Sequence, residues 1–380
     1  MIRDATGARR NGPIRAYVFT DTNPQHFLKQ FPRRDPHLDG VTFSFGMTVP
    51  RDGIDVLIVY NRASYSLQTG LPSARTAFIA AEPDVIHRYK SRYLNQFGIV
   101  VSVGDTQMDT EKWQTATCWY WFAGINFEKS GKGMRGYDDF ATLPPGDKQD
   151  KISVVTSNKV FTEYHRKRVA FLDALKDLIP EHLEIYGRGY KSVADKADAL
   201  LPYRYHLAIE NGAGPDTWTE KLADSYLCHA MPFYAGCTNL DRYFPEGSYL
   251  LIDLDDPQAE ARRMVEALQS GLWQANRPAL EQARQVILED QNLARLLVRL
   301  AKAAMSKQMA DPAETVTLWS ERTFPPEAGT RGSYADYVLR NAMLKIDPQA
   351  ELRVHPLRRR MEAQRSRRRQ RRLDKAERDA

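Results

Sequence analysis

The sequence is poor in cysteine. Cys118, Cys228 and Cys237 are the only three in 380 residues, an odd set with no Cys-x-x-Cys spacing. That composition excludes a disulfide framework, offers no zinc-ligand pattern and points to a reducing cytoplasm. Long hydrophobic runs are also missing. No stretch approaches the roughly 20 continuous apolar residues of a membrane span, and the opening "MIRDATGARRNGPIRAYVFT" has no apolar segment of the signal-peptide type. No internal repeat recurs at a fixed period. The body also lacks an excess of either charge. Net charge is +6 overall, but residues 351–380 hold twelve Lys and Arg against five Asp and Glu, or +7, which leaves −1 for the other 350 residues. A near-neutral body gives no basic face for nucleic acid, so none is expected as a partner.

What is present is an alternation of buried-strand and helix patterns. "IRAYVFT" (14–20), "DVLIVYN" (55–61), "TAFIAAE" (76–82) and "GIVVSV" (98–103) are apolar at nearly every position, as strands covered on both faces are. Between them the clearest helical pattern is "DVIHRYKSRYLNQF" (84–97). The polar "LPPGDKQDK" (143–151), with two prolines and a glycine, reads as a linker. After it come "ISVVTS", helix "EYHRKRVAFLDALKDLI" (163–179), then "LEIYG", "YHLAIE", helix "TEKLADSYLCHA", "MPFYAG", "SYLLIDL" and helix "PQAEARRMVEALQSG", which opens on proline and closes on glycine. The expectation is an α/β chain with two doubly wound parallel sheets, a cleft between them and ligands at the carboxyl ends of the strands.

One stretch stands out. "IENGAGPDTWTEKL" (209–222) runs from a strand end through a Gly/Pro loop into a helix. Thr217-Trp218-Thr219-Glu220 has capping-box form, with Thr217 as N-cap and Glu220 three residues on. Lys221 is then a cation in the first helical turn, where the dipole disfavours it unless an anion such as a phosphate sits there; an exposed lysine at a helix start is the plain alternative.

The segment "YRYHLAIENGAGPDTWTEKLADSYLCHAMPFYAGCTNLDRYFPEGSYLLIDLDDP" (203–257) resembles the donor-binding signature of the α-1,3/1,4-fucosyltransferases, glycosyltransferase family 10, of bacterial type. Glu210-Asn211, Pro215-Asp216 and Thr219-Glu220-Lys221 stand at the family's spacing, followed in order by Pro232, Gly236 and "DLDDP". "VVTSNKVFTEYHRKRVAFLDAL" (154–175) and "IYGRGY" (185–190) are similar to its Ser-Asn and Phe-Gly-Arg-Gly segments, and "FIAAEPDV" (78–85) to its glutamate-bearing strand end. Two departures are Ile209 in place of phenylalanine, and Thr217, with Trp218 beside it, in place of the family's aromatic.

The resemblance implies a GT-B-like fold: two Rossmann-like domains facing a central cleft, with a basic C-terminal tail. The boundaries read as an acceptor-binding α/β domain over 1–142, linker 143–151, a nucleotide-sugar domain over 152–310, a helical segment over 311–350 and the tail 351–380. It implies inverting transfer of fucose from GDP-fucose to a hydroxyl of a glycan, such as a surface polysaccharide or lipopolysaccharide. No cofactor or metal is implied. Glu82 takes the place of the general base. Arg168 (or Arg166, in the other register) and Lys221 fall to the diphosphate. Glu210, Glu220, Asn211, Asn158, Thr217 and Trp218 complete the donor site; each asparagine could equally be a turn residue and Glu220 a cap. Two other readings stay open, a GT-B transferase for a different nucleotide sugar and a non-catalytic sugar-nucleotide-binding protein. The Arg-rich tail has few apolar residues and cannot fold alone. Attraction to anionic lipid would hold the enzyme on the inner face of the membrane; a merely solvated tail, and nucleic-acid binding by the Arg-rich run, which nothing in the body supports, are the other readings.

Overall fold

In the computed structural model, residues 2–3, 9–10, 12–50, 52–63, 65–84, 86–117, 119–126, 133–157, 162–308, 316–330, 332–347 and 350 are described. The first sheet uses β1 (Ile14–Phe19), β2 (His37–Leu38), β3 (Val41–Gly46), β4 (Val56–Tyr60), β6 (Thr76–Ile79), β7 (Ile99–Val101) and β8 (Glu111–Trp113); β5 (Leu67–Gln68) stands outside it. Its order is β8-β7-β6-β4-β1-β3-β2, parallel throughout except at β2. The second sheet, β10-β9-β11-β12-β13, is parallel throughout and uses β9 (Gln149–Ser157), β10 (Leu183–Arg188), β11 (Tyr203–Gly214), β12 (Met231–Cys237) and β13 (Leu250–Leu251). Strands such as Val56–Tyr60 are buried at every position, which is why they read as unbroken apolar runs rather than as alternation. The expected α/β architecture of two sheets is thus in place, the second wholly parallel and the first parallel but for one edge strand.

Helices α1 (Glu163–Leu178), α2 (Glu220–Leu227), α3 (Pro257–Gln269) and α4 (Arg277–Gln285) follow the second-sheet strands. Each start has a local cause. The Thr162 hydroxyl accepts from His165 N–H, and Asp256 accepts from Ala259 N–H just ahead of Pro257. Gly271, at φ +68, takes the left-handed turn that ends α3.

Several local expectations need correction. Residues 84–97 form only the single helical turn Ser91–Leu94, because Lys90 and Ser91 bind Glu321 and Glu327 instead of extending a helix. The expected linker overlaps β9, which starts at Gln149. The strand expected at "SYLLIDL" shrinks to Leu250–Leu251. Helix α5 (Leu293–Ser306), placed by sequence in the second unit, packs across the first sheet instead. Its N-terminus is fixed there by Leu293 N–H donating to Gln30 (2.9 Å), and Arg75 reaches the Ala304 and Lys307 carbonyls at its far end. The segment 311–350 is not purely helical either. Its strand β14 (Thr317–Leu318) pairs antiparallel with β5, before helix α6 (Tyr334–Ile346). Residues 293–306 and 317–318 therefore return to the first unit, and one large apolar cluster runs from Val56 and Ile99 of the first sheet to Leu207 and Phe233 of the second.

Candidate functional site

A cavity of about 480 Å³ lies where the two units meet. From the first unit it is lined by Glu82, Pro83, Ile86, Trp119 and Phe122, and from the second by residues of β9, β11, α1 and the α2 start. Both contributions come from the carboxyl ends of strands or the loops beyond them, where α/β sheets leave room for ligands.

Strand β11 delivers Glu210, which is 1% exposed. Its carboxylate is held by Thr219, whose N–H donates to Oε1 (2.8 Å) and whose hydroxyl donates to Oε2 (2.7 Å). This fixes how β11 meets α2. A Cβ on Gly236 would lie 2.4 Å from Glu210 Cγ, so only glycine lets β12 pass this close. The N-cap of α2 is Thr219 and not Thr217; the Thr219 hydroxyl accepts from Lys221 N–H. Glu220 is accordingly the first helical residue and caps nothing as a box partner.

Lys221 Nζ sits 3.1 Å from Glu220 Oε1, 3.4 Å from Glu210 Oε2 and 3.2 Å from the Thr219 hydroxyl. Burial acts to lower the Lys221 pKa, but the Glu220 and Glu210 carboxylates outweigh it and the ammonium is held charged above its ordinary range. Burial raises Glu210, with Lys221 opposing; for Glu220 burial also pushes upward, yet Lys221 and Lys196 leave it below the usual carboxylate range.

Helix α1 contributes Arg168 and His165. Arg168 Nη1 donates to Asn211 Oδ1 (3.0 Å), and His165 Nε2 lies 3.2 Å from the same oxygen. Arg168 is buried and lines the cavity, and its Nε is enclosed without a hydrogen-bond partner. Arg166 is exposed and does not line the cavity.

Glu82 stands three residues past β6, half-buried, with its backbone neighbour Ala81 held by Trp119 Nε1 donating to the Ala81 carbonyl (2.6 Å). Burial raises the Glu82 pKa, Lys221 pulls it down and Glu220 pushes it up. Those last two effects tie the first-unit carboxylate electrostatically to the second-unit helix start.

The cavity thus gathers Glu82, Arg168, Glu210, Asn211, Thr217, Glu220 and Lys221. Trp218 does not line it; the indole is 2% exposed and packs on Tyr243 and Phe244 at 5.8 and 5.3 Å between centroids. Its neighbour Thr217 faces the cavity instead, as the departure from the aromatic pattern at that point allows. Asn158 lies outside the described residues, as does the 351–380 tail. Sequence reading missed Lys196, which lines the cavity and donates to the fully buried Asp224 (2.8 Å), and missed His165 and Trp119. Lys196 sits in "KADA", a short helical turn with no motif around it; only its burial marks it out.

A second cavity, about 610 Å³, opens at the ends of β12 and β13 and is lined by Tyr164, Lys167, Gly236, Thr238, Asp253 and Asp255. Gly236 backs onto Glu210, and Tyr164 is one turn before Arg168 on α1, so the two cavities are neighbours. Among the described residues no group of three or more His, Cys, Asp or Glu is placed to hold a metal ion.

Residues 146–271 match the family described as glycosyltransferase family 10 (fucosyltransferase), C-terminal. A fucosyltransferase-like protein of Arabidopsis thaliana is 33% identical over 100 residues, which is 24% of this chain and 20% of that protein. The alpha-(1,3)-fucosyltransferase FucT of Helicobacter pylori is 32% identical over 89 residues, 22% of this chain and 18% of that one. The chain thus matches about a fifth of the length of these relatives. Among solved structures, an alpha1,3-fucosyltransferase with GDP-fucose aligns with a TM-score of 0.47 at 14% identity, over 80% of this chain and 97% of that one.

Proposed function

We propose that the protein is an inverting fucosyltransferase using GDP-fucose, a reading supported by the match of residues 146–271 to glycosyltransferase family 10 (fucosyltransferase), C-terminal. The observation that carries this reading is the cavity between the units, which sets Glu82 of one sheet against Arg168, Glu210, Glu220 and Lys221 of the other.

In this mechanism Glu82 accepts the proton of an acceptor hydroxyl, a group far too weak an acid to ionise by itself at neutral pH. The hydroxyl oxygen forms its bond to the anomeric carbon as the bond from that carbon to the diphosphate breaks, and GDP leaves with the electron pair. Attack opposite the leaving group inverts the centre. Arg168 and the half-buried ammonium of Lys221, both in the cavity wall, hold the departing charge. Glu210 and Glu220 orient sugar or ribose hydroxyls, Asn211 keeps Arg168 in place, and the nucleoside extends into the second cavity. The acceptor is a glycan entering along the first unit, and the basic 351–380 segment draws the enzyme to the inner, anionic face of the membrane.

Calorimetry with GDP and with UDP tests the donor class, and transfer from labelled GDP-fucose separates an enzyme from a binder. Tight GDP and weak UDP binding is the expected result. Preference for UDP would transfer the site to another nucleotide sugar, and GDP binding without turnover on any acceptor would leave a sugar-nucleotide receptor.

A further inference from the structure

His165 lines the cavity and has no task in the mechanism above. It stands on α1 one turn before Arg168, on the same helix face. Both side chains converge on one atom: Arg168 Nη1 lies 3.0 Å and His165 Nε2 3.2 Å from Asn211 Oδ1. An arginine only donates, so the atom between them is the amide oxygen, and His165 Nε2 carries a hydrogen. In the neutral ring the lone pair is then on Nδ1, where a second proton adds.

Charge counting at this wall shows a shortage of cations. Glu82, Glu210 and Glu220 line the cavity against Arg168, Lys196 and Lys221. Lys221 lies 3.1 Å from Glu220 and 3.4 Å from Glu210, and Lys196 lies 2.8 Å from Asp224, so both ammoniums already face carboxylates. A diphosphate brings roughly two or more further negative charges, which leaves chiefly Arg168 to answer them.

We propose that His165 supplies the missing charge: it is neutral before the donor arrives and takes up a proton when a nucleoside diphosphate binds, joining Arg168 and Lys221 as a third cation around the phosphates. The inference rests on the donor-site reading above. Burial holds the His165 pKa below its ordinary value; the Asn211 hydrogen bond opposes this, and Arg168 on its own helix and Lys221 at the α2 start add to it. Bound phosphate offsets the field of those two cations and adds an attraction of its own, so the ring becomes easier to protonate. The carboxylates facing the same cavity are less suited to the proton. Glu210 accepts two hydrogen bonds from Thr219, which favour its ionised form, and Glu82 has to be ionised to act as the base. The proton comes from solvent on binding and returns to it when GDP leaves. The bound form has the higher pKa, so the gain in affinity is full below the pKa of the free protein. It is lost as pH rises through the pKa of the complex.

The test is calorimetry of GDP binding in buffers of different ionisation enthalpy, which counts the protons taken up, with UDP as a second diphosphate. The terminal phosphate of either nucleotide itself titrates near pH ~6, so the quantity read is the difference between the parent and His165→Gln. The glutamine amide keeps a donor for Asn211 and takes no proton. At pH ~6.5 the parent should take up roughly half a proton more per nucleotide than the variant, and its affinity should climb more steeply as pH falls. Histidine NMR of the parent decides the matter if the variant melts early: one of the eight histidines should titrate at least ~1 pH unit higher once GDP is added. Equal proton uptake by parent and variant, or no histidine moved, would overturn the proposal and leave the donor reading untouched. Binding and proton uptake with UDP but not GDP would reject the GDP-fucose reading and keep this one. Binding of neither nucleotide would overturn both.

Discussion

Lys221 Nζ lies 3.4 Å from Glu210 Oε2, a cation at a helix start facing a carboxylate at a strand end. The macrodipole of α2 opposes a positive charge in its first turn. Glu210 from β11 and Glu220 beside it supply the compensating charge, so the fold tolerates Lys221 before any ligand arrives. The local balance of two carboxylates and one ammonium is negative. A diphosphate reaching this ammonium therefore competes with carboxylates already there, and Arg168 shares the task.

Lys221→Met should weaken GDP binding by roughly tenfold or more, the loss of a charge-assisted contact worth ~1.5–3 kcal/mol. It should also lower the melting temperature, because the buried Glu210 and Glu220 then lose the cation that pairs with both. Calorimetry and thermal unfolding read the two effects separately. Unchanged GDP affinity would remove Lys221 from the phosphate site and leave it a structural counter-ion.

Glu82→Gln should keep GDP binding while transfer falls by ~10²-fold or more. The pH profile adds a sharper check. Glu82 must be ionised to take a proton, and burial holds its pKa above the ordinary value, so kcat/KM should fall as pH drops through that raised value. Lys221 pulls the Glu82 pKa down, so Lys221→Met should move this acid limb to higher pH. A limb that stays in place in Lys221→Met, or survives in Glu82→Gln, assigns the base elsewhere.

Much of this site was legible because the relevant residues are consecutive. "IENGAGPDTWTEKL" places Glu210, Thr217, Glu220 and Lys221 within twelve positions, and strand-loop-helix geometry does the rest. The sheets were legible for a similar reason, since strands such as Val56–Tyr60 are buried on both faces. What was not legible depends on contacts distant in sequence. The partner of Lys196 is 28 residues away, and α5 is committed to the first sheet by Gln30, 263 residues before it. The cap of α2 was misplaced by two residues because threonines occupy both 217 and 219, and only the Glu210 contact decides between them.

Arg168→Ala should weaken GDP binding by roughly ten- to hundredfold with little change for guanosine, whereas Arg166→Ala should be near neutral. The basis is placement one turn after Tyr164 in the cavity wall for Arg168, against exposure for Arg166. Loss in Arg166→Ala alone would show that α1 presents a different face to the ligand.

The pair of Lys196 and Asp224 gives a stability prediction that sequence motifs do not. Nζ and Oδ2 are 2.8 Å apart, Asp224 is fully buried, and its other oxygen has no partner. A buried carboxylate in that position is raised in pKa by burial and restrained by Lys196. Removing one partner strands the other, so Lys196→Met or Asp224→Leu should each cost about 3–5 kcal/mol, while the double replacement should recover much of it. Chemical denaturation of the four proteins measures the coupling. Lys196 also lines the cavity and lowers the Glu220 pKa, so the double variant should remain folded yet bind GDP less tightly than the parent. Recovery of stability together with full GDP affinity would confine the pair to the core; recovery of stability with weakened affinity would make Lys196 part of the donor site.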